Sequence, residues 1–151
     1  MSRILSAMFI LTLTGYATML GAQPKVLLEF RACETSATAG FIPMISPESQ
    51  KTIYVSQETA ISNEDVASSR VIMDPQGNYN IQIEFTEVGA IKFSNATEHS
   101  LKKPLGILVD GRLICAPIVN EKIEGGKALI SGQFTQEEAE RISNGISRRH
   151  E

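Results

Sequence analysis

Tyr79, Ile81, Ile83 and Phe85 alternate with Asn80, Gln82 and Glu84. A period of two puts the four apolar side chains on one face of an extended strand and the polar ones on the other. Such a strand belongs to an antiparallel sheet with one side wet. It runs straight into Thr86, whose hydroxyl can cap a helix. Ala90, Phe93, Thr97 and Leu101 then share a stripe at helical spacing. The pattern predicts a helix from Thr86 to about Ser100, with Pro104 preventing any continuation.

The same grammar returns near the end of the chain. Phe134-Thr135 is followed by Ala139 and Ile142, and Glu138 completes a capping box with Thr135. Ala139, Ile142 and Ile146 form the buried stripe of this last helix. The echo is either chance recurrence of good capping or a doubled strand-helix unit, as in split β-α-β, ferredoxin-like folds. Both accounts give an α+β class: one antiparallel-rich sheet with helices packed on one face.

The remaining elements follow from shorter signals. Val26 to Phe30 and Lys51 to Ser56 read as strands. Residues 35–50 are rich in Ser, Thr, Ala, Gly and Pro and read as an exposed loop. Phe41, Ile42, Met44 and Ile45 within it either plug the core or form a partner-binding patch. Ser62 and Asp65 resemble a capping box, flanked by Ile61 and Val66 as a hydrophobic staple, and predict a short helix ending near Ser69. Asp74 to Gly77 is a turn. Leu105 to Val109 and Arg112 to Val119 form a hairpin about Asp110-Gly111. Pro117 requires an edge or a bulge there. Gly125-Gly126 turns the chain into a last strand, Lys127 to Phe134.

The amino terminus differs from the rest. Arg3 precedes a mostly apolar run from Ile4 to Leu20, followed by the small residues Gly21 and Ala22. This is the pattern of a secretory signal peptide cleaved after Ala22, leaving residues 23–151 as one periplasmic or secreted domain. The run is short for a membrane span. Membrane contact is expected only through this segment, if it is retained. Export permits disulfides. Cys33 and Cys115 allow one possible disulfide, and otherwise serve as two small buried apolar groups.

Chemistry-bearing motifs are missing. The sequence has no GxSxG elbow, HExxH, Walker loop or GxGxxG. Glu137-Glu138, and Glu121 with Glu124, read as solvated surface. His99 reads as an exposed residue at a helix end. The reading is therefore of a non-enzyme with no cofactor and no metal site. A net charge of -3 argues against nucleic acid as a partner.

Leu105 to Ile146 carries a family resemblance. LGILVDGRLICAPIV and EGGKALISGQFTQEEAERI, with Leu28-Glu29-Phe30-Arg31 and Glu84-Phe85-Thr86 upstream, resemble the head subdomain of the first periplasmic domain of SecD, in the SecDF protein-export family. Cys115 stands where a small polar residue is usual in that pattern. The resemblance implies a periplasmic, non-enzymatic module that contacts preproteins or other unfolded polypeptide. No second apolar stretch and no intramembrane acid follow, so proton-driven pulling is not implied. The alternative is a structural or assembly component that binds one folded envelope protein.

Overall fold

The computed structural model describes residues 25–147. The proposed signal peptide, 1–22, lies outside these residues. Nine strands and two helices follow in order: β1 (Leu28–Glu34), β2 (Phe41–Ile45), β3 (Thr52–Ser56), β4 (Ile61–Ser62), β5 (Val66–Met73), β6 (Tyr79–Phe85), α1 (Glu87–His99), β7 (Leu105–Val109), β8 (Arg112–Cys115), β9 (Lys127–Phe134) and α2 (Gln136–Ile146). The class is α+β and every strand pairing is antiparallel. The expected single sheet is two. One runs β2-β3-β1-β7-β8 with β4 beside β1, and the other runs β5-β6-β9.

The alternation along β6 holds from Ile81 to Phe85, whereas Asn80, next to a register shift in the pairing with β9, is buried. Ile81 and Ile83 are fully buried, while Gln82 and Glu84 face outward. Thr86 caps α1 by accepting the Gly89 N–H at 3.0 Å. The Thr135–Glu138 capping box opens α2. Asp110 and Gly111 both take positive φ, 52° and 78°. That is the two-residue turn whose twist matches a right-twisted hairpin.

Three expectations are corrected. Residues 41–45 are not loop but edge strand β2, paired along its length with β3. The helix expected from Ser62 is one 3-10 turn, Asn63–Asp65. Its capping box forms, and the chain then becomes β5. Val66, Val71 and Ile72 are β-branched and find β6 to pair with, so nonlocal pairing overrides the local cap. The hairpin strand ends at Cys115 rather than Val119, because Pro117 cannot donate to the ladder.

Two cores result. The larger lies between the two sheets and includes Leu28, Phe30, Ile81, Ile107, Ile130 and Ile142. Phe30, Phe85 and Phe93 form a ring trio at its centre, with centroids 4.7–5.8 Å apart. α2 lies against β5, β6 and β9. The smaller core, Cys33, Ile53, Val55, Leu108 and Leu113, sits on the opposite face of β7, under the β2-β3 hairpin.

Candidate functional site

β2 divides the four residues singled out as partner-binding. Its pairing with β3 sets Ile42 opposite Val55 and Met44 opposite Ile53, so both turn into the smaller core. Phe41, Pro43 and Ile45 take the other face, beside Tyr54. Phe41 and Tyr54 are half-buried, whereas Ile45 is 56% exposed. The outer face of the hairpin thus presents a row of apolar side chains.

The possible disulfide is not made. Cys33 and Cys115 are both free and buried. They stand on β1 and β8, with β7 between them. Two strand spacings, about 9.5 Å, exceed the roughly 7 Å between α-carbons that a disulfide can span. They also face opposite sides of the sheet, Cys33 in the smaller core and Cys115 in the larger. Burial pushes the Cys33 thiol up to about 11 and the Cys115 thiol to about 12. Neither is poised as a nucleophile.

A second apolar surface was not singled out from the sequence. Beyond Pro117 the chain runs along one side of a groove of about 320 Å³, and Lys127 to Leu129 of β9 form the other side. Phe30, Phe93 and Ile107 lie at its base. Ile118, Ile123 and Leu129 remain 51%, 38% and 52% exposed at its rim. The segment carrying Ile123 is held to α1 by the Ile123 N–H, which donates to the hydroxyl of fully buried Thr97 at 3.0 Å, and by the Lys122–Glu98 ion pair. A separate, more polar cleft of about 830 Å³ lies between β8 and β9 beside Arg112, Gln133 and Arg141. The only local signal for the groove was Ile118 and Ile123, two bulky apolar residues close to Pro117 and outside any regular element.

The polar groups do structural work. Glu138 is spent on the Thr135 cap, and hydrogen bonds from the Thr135 amide and hydroxyl hold its carboxyl below the ordinary range. Lys122 bridges Glu98 and Glu124. His99 Nδ1 lies 2.7 Å from the Asn95 carbonyl on an exposed last turn. Among the described residues no cluster of His, Cys, Asp and Glu could hold a metal ion, and no helix is long and apolar enough to cross a membrane.

Residues 39–147 match the family described as SecDF, P1 head subdomain. The protein translocase subunit SecDF of Thermus thermophilus is 29% identical over 133 residues, which are 79% of this chain and 18% of that protein. SecD of Desulfurispirillum indicum is 36% identical over 103 residues, 67% of this chain and 20% of the relative. The chain thus spans about a fifth of the length of these relatives. Two solved structures share the fold. One is SecDF in a super-membrane-facing form, with TM-score 0.66 and 24% identity over 82% of this chain and 19% of that one. The other is a SecDF structure described as a membrane component that enhances protein export, with TM-score 0.65 and 25% identity over 82% of this chain and 63% of that one. With the family pattern running from before β2 to the end of α2, the chain belongs to the SecDF P1 head subdomain family.

Proposed function

We propose that this domain is a non-enzymatic polypeptide-binding module that serves protein export outside the cytoplasmic membrane. The observation that carries this reading is the groove between the Pro117–Glu121 segment and β9, an apolar cavity whose rim residues Ile118, Ile123 and Leu129 are left in water. Exposed apolar side chains around a concavity mark a contact site. The relatives supply the context, being protein translocase subunits by name. The segment 1–22 would provide the address, and mass spectrometry of the exported protein should then find Gln23 at its amino terminus.

The test is a titration of fluorophore-labelled, unfolded secretory preprotein with the purified mature chain. Saturable, weak binding is expected, and Ile118→Asp should weaken it about tenfold, one apolar rim contact's worth. Absence of binding into the high micromolar range would overturn the reading.

One observation favours a second reading. The outer face of β2 sets Phe41, Pro43 and Ile45 side by side next to Tyr54, with Ile45 left in water. An exposed apolar strand face suits a folded envelope protein, and stoichiometric capture of one such protein, lost on Ile45→Lys, would support the assembly role.

A further inference from the structure

The two sheets present five edge strands, β2, β4, β8, β5 and β9. β4 is only two residues long, and β2, β8 and β5 each have an edge amide taken or missing in or just past the strand. On β2, the bonds from Ser46 N–H to the Lys51 carbonyl and from Gln57 N–H to the Gly40 carbonyl fix which residues face β3. By alternation Phe41, Pro43 and Ile45 face outward. The Phe41 amide is already bound to the Thr38 carbonyl, and Pro43 has no N–H. Just past the end of β8, the Ala116 N–H donates to the Glu48 carboxylate at 2.8 Å, and Pro117 follows. On β5, the outward Ser69 N–H donates to the Ser147 hydroxyl at 3.1 Å. Prolines and capped amides are how natural sheets blunt their edges.

β9 is different. Phe85 N–H donates to the Gly126 carbonyl at 2.9 Å. By the same alternation Ala128 and Ile130 turn their amides toward β6, and Lys127, Leu129 and Ser131 turn theirs away. Lys127 and Leu129 are also residues that line the apolar groove. An open strand edge and an apolar cavity thus lie side by side.

We infer that the groove takes its polypeptide as an added strand on β9. This rests on the polypeptide-binding reading above and specifies how the chain is held. An extended segment lying along Lys127, Leu129 and Ser131 would exchange backbone hydrogen bonds with them. Its alternate side chains would point into the groove, toward Phe93 and Ile118, and the others would lie over the wet face near Gln82. The ligand class is an extended segment with apolar residues at every second position and no restriction between. Such a pattern is common in unfolded chains and is hidden once they fold. A free fatty or detergent tail would fill the cavity without using the edge.

The experiment compares three labelled peptides by fluorescence anisotropy. All alternate valine with threonine. One is unmodified, and the other two carry N-methyl groups on the backbone amides of one edge or the other, which covers both orientations. The unmodified peptide should bind, and at least one methylated version should bind about tenfold more weakly, the loss of one or two net hydrogen bonds. Leu129→Pro removes an outward amide and should cause a similar loss, with the circular dichroism spectrum unchanged. In hydrogen exchange the Leu129 amide of the wild-type chain should gain protection on binding.

If every methylated peptide binds as well as the parent and Leu129 stays unprotected, strand addition is wrong while polypeptide binding stands. If neither the peptides nor unfolded preprotein binds, the underlying reading fails with it. A concentration-dependent dimer abolished by Leu129→Pro, with no peptide bound, would overturn the inference in favour of self-pairing.

Discussion

The backbone carbonyl of Asp65 occupies the space that a side chain on Gly89 would need. A β-carbon built on Gly89 collides with that carbonyl. The same oxygen accepts the Thr86 N–H at 2.8 Å, and the Asp65 carboxylate accepts from Ser62 N–H at 3.0 Å and Lys92 Nζ at 2.7 Å. The 3-10 turn and the first turn of α1 are therefore docked backbone to backbone. Gly89→Ala should destabilise the domain by about 1–3 kcal/mol through overpacking, although alanine is the better helix former. The urea midpoint measures this, and an unchanged midpoint would mean that the turn slides freely along the helix.

The two faces of β2 should separate cleanly in a stability assay. Ile42 turns into the smaller core, whereas Ile45 is 56% exposed. Ile42→Ala should cost about 1–3 kcal/mol, less than a fully buried truncation because the site is partly open. Ile45→Ala should fall within about 0.5 kcal/mol of wild type. Thermal denaturation of both variants checks the assignment. Equal losses would return Ile45 to the core.

Glu29 should set part of the acid limb of stability. Burial raises its carboxyl, but hydrogen bonds from Arg31 and Thr59 and the Arg31 charge outweigh this and hold it below the ordinary 4.5. Arg31 Nη2 lies 2.7 Å away and the Thr59 hydroxyl 2.6 Å. A carboxyl depressed in the folded state contributes stability that is present above its unfolded value and lost as the pH falls through its native one. Wild-type stability should therefore decline below about pH 4.5. Glu29→Gln should be less stable at neutral pH, because Arg31 loses its partner, and flatter across the acid range. Denaturation curves collected from pH 7 to pH 3 decide it, and parallel profiles would exclude the pair as the cause.

The thiols should be inert until the domain opens. Cys33 is 1% and Cys115 7% exposed, and burial raises both, so almost no thiolate exists at neutral pH. Labelling by a thiol reagent should be slow in the native protein and complete in urea. Oxidant treatment of the native form should leave its non-reducing gel mobility unchanged. A fast-migrating, internally bridged band would contradict their placement on opposite faces of the sheet.

What could be read in advance was what local chemistry determines. The Thr135–Glu138 box, the alternation along β6 from Ile81 to Phe85 and the Asp110-Gly111 turn each act within a few residues, and each formed where expected. β2 was misread because Pro43 and the surrounding Ser and Gly resemble a loop; only its pairing with β3 makes it a strand. The helix expected after Ser62 failed for a related reason. Its cap is real, but Val66 and the residues beyond it satisfy β6 instead. The groove was beyond reach because Phe30, Phe93, Ile118 and Leu129 come from four separate parts of the chain. Their meeting is a property of the topology.

β7 has all five of its residues buried, with Ile107 packed into one core and Leu108 into the other. Neither core can melt without uncovering one side of that shared strand. The lobe should therefore come apart in a single all-or-none transition, and a load applied by a chain held along β9 would meet one mechanical body rather than two hinged halves.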